Sequence, residues 1–269
     1  MDVRQLTTGD EAALEEVLEA EPVVNLFLRG FAASQPMDRG YWYAVDDGVG
    51  LGGVVLLIPG RLAVPWSPDP EHASALGRWL ARRHQPTMMV GPRDQVDPMF
   101  AEWAGSRKPK RFHEQHLYVA TSPPPRPPPK GLRRARMSDW TLLVERSARM
   151  EYEDLGRDPY DEDPELHARV VKERIIAGKT WVMERDGEVV FQLNVGTTGR
   201  EGVQVGGTYV PPRFRGQRLC MQGMEAVLHV LLKHYPRVTL HVHEHNDPAV
   251  RCYERVGFVP YMPYRLLTV

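Results

Sequence analysis

The sequence is poor in cysteine, and both of its thiols stand alone. Among 269 residues only Cys220 and Cys252 are cysteines, and neither belongs to a CxxC pair. The sequence therefore predicts neither a zinc ribbon nor a disulfide framework. So few cysteines are typical of a protein from a reducing compartment.

Long apolar runs and an excess of one charge are also missing. The longest apolar run, residues 49–60, has about half the length that spanning a bilayer requires. The chain carries charge from residue 2, so no signal peptide is visible, and we expect a cytoplasmic protein without membrane contact. The chain has 34 basic and 35 acidic residues, so it lacks the basic excess that is typical of a general nucleic-acid binder.

What is present suits a globular protein divided by proline. Hydrophobic residues make up 42% and charged residues 26% of the chain, enough for a sizeable core. Residues 121–131, TSPPPRPPPKG, hold six prolines in eleven positions and predict an extended, semi-rigid spacer. The predicted organisation is a domain over 1–120, a linker over 121–131 and a second domain over 132–269.

Strand and helix patterns alternate in both halves of the chain, which predicts a mixed α/β fold. In the first half a single long helix is expected over 9–34. In the second half the pattern predicts strands at 131–137, 179–186, 187–196, 202–210 and 238–243, helices at 138–156, 164–178, 216–234 and 247–256, and a final strand pair at 258–261 and 264–269.

A basic turn, PPRFRGQR, leads into the helix predicted from residue 216. The first amides of a helix lack internal partners and attract anions, and Gly216 would let a phosphate approach closely. Arg215 and Arg218 add positive charge. The turn is compatible with a pyrophosphate cradle or with an ordinary surface turn, and alone it favours the surface turn because such motifs are common.

The segment after the next strand shifts this balance. It contains Asn246 at a strand end, then Ala249 and Tyr253 on a short helix, and Gly257-Phe258 where that helix ends. Together with Val210, Pro211, Arg215 and Gly216, these residues resemble the acyl-CoA-binding core of the GNAT N-acetyltransferases. The resemblance is strongest over residues 180–262, and the first half is similar to the degenerate GNAT-like domain of tandem members.

The resemblance implies two tandem copies of a mixed, largely antiparallel sheet flanked by helices, the first copy degenerate. It also implies acetyl-CoA as co-substrate, with the pyrophosphate on the amides of 215–220, the pantetheine arm along strand 204–210 and Tyr253 beside the sulfur. The implied coenzyme-binding residues are Thr208, Tyr209, Val210, Arg215, Gly216, Gln217, Arg218, Leu219, Cys220, Asn246, Ala249 and Tyr253.

The turn departs from the family pattern at one position. Family members usually read R-G-x-G-x-G or R-G-x-G-x-A, whereas here Arg218 replaces a glycine and Cys220 takes the last place. Arg218 could bind phosphates from outside or narrow the site, which puts coenzyme affinity in doubt.

The implied reaction is acetyl transfer to a primary amine of a protein lysine or small molecule. Tyr253 is the candidate general acid for the leaving thiolate. The strand 203–210 lacks the glutamate that such enzymes often carry, so Glu151 and Glu244 are the candidate bases, with Glu153 and His243 as further options. A solvated charge is the competing interpretation of each. Direct transfer is preferred over an acetyl-Cys220 intermediate.

Eight acidic residues lie between 151 and 165. They are Glu151, Glu153, Asp154, Asp158, Asp161, Glu162, Asp163 and Glu165. An acidic rim would attract a cationic amine, and a plain solvated loop is equally compatible. His241, His243 and His245 alternate near a strand end, but further ligands are lacking, so no metal site is expected.

Two other functions fit the same residues. The second domain could hold acyl-CoA without turnover, as a sensor or scaffold, or the chain could be a dimerising structural protein that binds no coenzyme. A monomer and a homodimer are both compatible with the sequence.

Overall fold

The computed structural model describes residues 1–269, which divide into two compact units. The first unit comprises Met1–Tyr118, His241–Asp247 and Pro260–Val269. The second comprises Val119–Leu240 and Pro248–Val259. The domain bounds predicted above stay a prediction. In the packing, two short C-terminal segments group with the first unit.

The regular elements alternate along the chain as the sequence predicts. The strands are β1 (Asp2–Gln5), β2 (Trp42–Asp46), β3 (Leu51–Ile58), β4 (Leu62–Trp66), β5 (Met88–Pro92), β6 (Arg111–Ala120), β7 (Leu132–Arg134), β8 (Thr180–Arg185), β9 (Glu188–Gly199), β10 (Gly202–Tyr209), β11 (Val238–His243) and β12 (Val259–Thr268). The helices are α1 (Glu11–Glu19), α2 (Leu26–Ser34), α3 (Pro70–Ala81), α4 (Arg93–Ala104), α5 (Trp140–Leu155), α6 (Pro159–Glu162), α7 (Pro164–Ile176), α8 (Leu219–Leu231) and α9 (Asp247–Arg255).

Two of the predicted elements are wrong. The long helix over 9–34 is two helices, α1 and α2, and the break between them contains Pro22, which cannot donate a backbone hydrogen bond inside a helix. The final strand pair is the single strand β12, because Pro260 and Pro263 fit an extended chain without breaking it.

Both units contain a largely antiparallel sheet, which confirms the mixed α/β class. In the first unit the strand order is β1-β2-β3-β4-β5-β12-β6, with β4 and β5 parallel. In the second unit the order is β11-β10-β9-β8-β7, with β10 and β11 parallel.

The order of elements repeats between the units. In the first, α3 connects the parallel strands β4 and β5, and α4 follows. In the second, α8 connects the parallel strands β10 and β11, and α9 follows. Neighbouring parallel strands need a crossover connection, and in both units a helix provides it. The chain therefore contains two copies of one supersecondary unit.

Side-chain alternation along β3 shows how the first unit fills both faces of its sheet. Val54 and Leu56 pack with residues of α1, whereas Val55 and Leu57 pack with residues of α3 and α4. A strand that is buried on both faces becomes a continuous apolar run, which explains why residues 49–60 carry the longest one. No helix in the chain is both long and apolar enough to cross a bilayer.

Three imidazoles lie close together around the end of β11, where residues His241–Asp247 belong to the first unit. The ring of His243 lies 4.8 Å from that of His113 and 5.3 Å from that of His245, measured between centroids. Burial, and after it the neighbouring imidazoles of His113 and His245, lower the pKa of His243 to about 4. This side chain is therefore neutral in the folded protein near neutral pH.

Acid should consequently destabilise the first unit. An unfolded histidine takes up its proton near pH 6.5, so between about pH 6.5 and 4 the unfolded state binds more protons than the folded state. We expect the free energy of unfolding to fall by about 1.4 kcal/mol per pH unit in that window for this one group. Urea unfolding from pH 7 to 4.5 checks this. His243→Gln should reduce the slope of the profile without abolishing it, because burial also lowers the pKa of His241 to about 4. Exposed His234→Gln should leave the profile unchanged.

Candidate active site

The turn before α8 presents its backbone to solvent. Gly216 has φ 79° and Arg218 has φ 60°, and Gln217 between them has negative φ. Alternating left- and right-handed residues turn successive amides into one concavity, which suits an anion. The first backward hydrogen bond is from Gln222 N–H to the carbonyl of Arg218 at 3.1 Å, and a Cβ on Gly216 would meet nothing within 4 Å.

The left-handed conformation of Arg218 explains the glycine that the family pattern has there. Side chains other than glycine are strained at this φ, by about 1–2 kcal/mol. Apart from Arg218, Asp186 is the other residue besides glycine with positive φ.

Replacing Arg218 by glycine should therefore stabilise the protein. We expect Arg218→Gly to raise the free energy of unfolding by roughly 0.5–1 kcal/mol, because relief of strain exceeds the extra entropy of an unfolded glycine. Urea unfolding measures this. Asp186→Gly is the matched control and should gain less, since aspartate tolerates the left-handed region better. A loss of stability in Arg218→Gly would contradict the assignment of strain.

Strand β10 leaves part of its edge open. Its parallel pairing with β11 covers two residue pairs, Val203–Val238 and Gln204–Thr239, after which β10 continues to Tyr209. Its register with β9 shifts between Gly206 and Tyr209. A bulge at this point, with Gly207 at φ 62°, re-aims the residues that follow.

Thr208 and Tyr253 meet on the α8 side of that strand. The Tyr253 side chain is buried, and its ring packs edge-on against Phe258 with centroids 5.9 Å apart. Its hydroxyl shares a hydrogen bond with Thr208, whose Oγ1 lies 4.0 Å from the sulfur of Met224. Burial, followed by the nearby Cys220, raises the pKa of the Tyr253 phenol well above its usual value, so the phenol keeps its proton.

The two cysteines are neighbours across α8 and α9. Cys220 is half-buried in the first turn of α8 and shares a side-chain hydrogen bond with buried Cys252. That bond, and then burial, raise the pKa of the Cys252 thiol. Sequence reasoning missed Cys252 here, since only its place one residue before Tyr253 could have indicated it.

Several other residues were predicted to bind the coenzyme. The guanidinium of Arg215 donates to the carbonyl of Val210 at 3.0 Å and to Glu153 at 2.5 Å, and it lies 5.5 Å from the ring centre of Tyr209. The remaining ones are exposed Gln217, buried Leu219, and half-buried Ala249 on α9 and Asn246 just after β11.

The candidate bases all have partners. Glu151 on α5 lies 4.0 Å from Nδ1 of His167, and Glu153 is ion-paired with Arg215. Glu244 lies in the first unit, where it pairs with Arg93 and with His116. The charge of Asp154, on the same helix as Glu151, acts on the Tyr253 phenol.

Several residues of the acidic segment have structural roles. Asp158 caps α6 by accepting from the amide of Tyr160, and Asp163 caps α7 by accepting from the amide of Leu166. Glu162 pairs with Arg157 at 2.6 Å. His241, His243 and His245 belong to no group of three or more side chains that could hold a metal ion.

Comparison with known proteins adds to this geometry. Residues 140–258 match the model of the acetyltransferase (GNAT) family. The similarity to the GNAT family therefore rests on this segment of the chain. The match covers α5 to α9, and so includes the basic turn, the open edge of β10 and Tyr253.

Solved structures resemble the whole chain. A GCN5-related N-acetyltransferase from Sphaerobacter thermophilus has a TM-score of 0.62 and 15% identity, covering 99% of this chain and 94% of that one. A GNAT-family acetyltransferase from Colwellia psychrerythraea has a TM-score of 0.61 and 10% identity, and the match covers 100% of this chain and 99% of that one. A tandem GNAT protein from the clavulanic acid biosynthesis pathway has a TM-score of 0.58 and 16% identity, and the match covers 100% of this chain and 98% of that one.

These identities show the fold, and the tandem neighbour agrees with the repeat seen in this chain. No curated protein matches the sequence. In the first copy, Asp69 caps the crossover helix α3 by accepting from the amide of Glu71 at 2.8 Å. A carboxylate at that helix start would repel a phosphate.

Proposed function

We propose that the chain transfers an acetyl group from acetyl-CoA to a primary amine, directly and with Tyr253 as general acid. The observation that carries the proposal is the buried phenol of Tyr253, which keeps its proton beside the open edge of β10 and the anion-binding turn of α8. The similarity of this segment to the GNAT family supports acyl transfer in general.

The residues of the turn fit the coenzyme. The amides that follow Gly216 would hold the pyrophosphate, aided by the charge of Arg218 and the start of α8. The unpaired edge of β10 would take the amides of the pantetheine arm as an added strand. Arg215 would serve less directly, because Glu153 already neutralises its guanidinium.

Acetyl transfer requires that one proton be removed from the amine and that one be supplied to the leaving sulfur. A lysine-like ammonium has a pKa of about 10.4 and must lose a proton before its nitrogen attacks the thioester carbon. As the carbon–sulfur bond breaks, Tyr253 donates its proton to the leaving sulfur.

Glu151 is the better candidate base. His167 donates from Nε2 to the carbonyl of Val144, so its neutral form leaves Nδ1 able to accept a proton beside Glu151. Glu244 is already engaged by its ion pair with Arg93. The exposed carboxylates of Asp161 and Glu165 would favour a cationic acceptor.

Coenzyme binding without turnover is the second candidate, since the glycine position is occupied by Arg218 and the candidate bases have partners. Calorimetry with acetyl-CoA, combined with thiol release over a panel of primary amines, separates the two functions. Amine-dependent release supports the enzyme, whereas tight binding without release from any amine supports the sensor. No binding would refute both.

A further inference from the structure

Beneath α5, the second unit buries a guanidinium without an acidic partner. The Arg146 side chain is 7% exposed, and its hydrogen bond runs from Nη1 to the carbonyl of Val189 at 2.7 Å. No carboxylate forms an ion pair with it, and burial, followed by the charge of Arg213, lowers its pKa. An unpaired buried charge is costly, and an anion bound beside it would offset that cost.

Two further polar groups on this face of the sheet lack partners. The Tyr209 hydroxyl and Oε1 of Gln192 are buried and make no hydrogen bond. Tyr209 lies opposite Gln192 in the register of β10 and β9, so both side chains project from the same face. Nε2 of Gln192 reaches Ser147 of α5 at 3.5 Å, which places this pair under α5.

The charges around the Tyr209 hydroxyl are mostly positive. The positive charges are those of Arg146, Arg149 and Arg215, and the negative charge is that of Glu153. Glu153 is already engaged by Arg215 at 2.5 Å and by Arg149 at 3.6 Å. The buried Arg146 is therefore left with its charge, next to a phenol that can donate.

This face is opposite the one that carries Tyr253. Thr208, one residue before Tyr209, contacts Tyr253 and Met224 of α8. Successive strand residues point to opposite faces, so a thioester at the edge of β10 can be approached from the α5 side while Tyr253 serves it from the α8 side.

We propose that Arg146 and the Tyr209 hydroxyl bind a carboxylate of the acceptor, and that Oε1 of Gln192 accepts an N–H from the same molecule. The acceptor class is then an amino acid or another small amine that carries a carboxylate. This inference rests on the proposed function and names its substrate class. The coenzyme's phosphates are the other source of an anion, and the experiment separates the two.

Paired acceptors that differ only in the carboxylate provide the test, such as phenylalanine with phenethylamine and lysine with cadaverine. We expect the wild type to use the carboxylated member with a kcat/KM higher by about tenfold or more, through KM. In Arg146→Gln this preference should fall to within about threefold, and Arg146→Lys should restore part of it. Tyr209→Phe, which keeps the packing, should show a smaller loss, and Arg174→Gln on the exposed side of α7 none.

Several results would overturn the proposal. One is equal use of both members by the wild type. Another is a loss of acetyl-CoA affinity in Arg146→Gln with the acceptor preference unchanged, which would assign the guanidinium to the coenzyme. If no amine is acetylated, the proposed function fails, and calorimetry on the acetyl-CoA-loaded protein still decides this inference. Binding of phenylalanine but not phenethylamine upholds the subsite, and binding of neither refutes it.

Discussion

Replacing Tyr253 by phenylalanine is expected to lower kcat for acetyl transfer about 100-fold or more, with little change in the KM for acetyl-CoA. The change removes one oxygen, which is hydrogen-bonded to Thr208, and burial followed by the nearby Cys220 keeps the phenol protonated. Without it, the thiolate must leave unprotonated. Steady-state thiol release with a saturating amine measures the effect.

The comparison needs a matched tyrosine and a check on folding. Tyr235→Phe removes a hydroxyl just beyond the far end of α8 and should leave kcat unchanged. The Tyr253→Phe protein should keep its coenzyme affinity and lose only about 1 kcal/mol of stability, the value of one hydrogen bond. An unchanged kcat in Tyr253→Phe would assign this tyrosine to the core and remove it from the mechanism.

The second unit was largely predictable because its signals are local. The apolar periodicity of α8, the alternation of β11 and the glycine at 216 each act within a few residues, and β11 has the predicted bounds. The prediction of one long helix over 9–34 was wrong for a local reason as well. The apolar spacing was given more weight than Pro22, which interrupts a helix.

The buried cluster of Arg146, Tyr209 and Gln192 could not be predicted, because its members come together only through tertiary register. Arg146 reads in the sequence as one more charged helix residue, and its burial follows from packing α5 on β9. Tyr209 and Gln192 are joined by a bulged antiparallel register that no short window contains. Likewise, the role of Glu153 as partner of Arg215 spans 62 residues.

The packing of α8 on the sheet suggests the second large effect, at Gly223. A Cβ at this position would lie 2.6 Å from three atoms of the Phe191 ring, and Phe191 is fully buried and has nowhere to move. We expect Gly223→Val to lower the free energy of unfolding by about 3 kcal/mol, because overpacking outweighs any gain in helix propensity. The apparent melting temperature should fall by roughly 6–10 °C.

Gly223→Val should also weaken coenzyme binding, because it moves helix α8. Pushing α8 away from β9 displaces the amides of its first turn, so acetyl-CoA affinity should fall together with stability, as calorimetry and thermal melts can show. Adding Phe191→Leu to Gly223→Val should recover some of both losses, with a coupling of about 0.5–3 kcal/mol between the two sites. Gly50→Ala, where a Cβ meets nothing within 4 Å, is the control and should be neutral. Additive losses in the double variant would mean that the Phe191 ring does not set the position of α8.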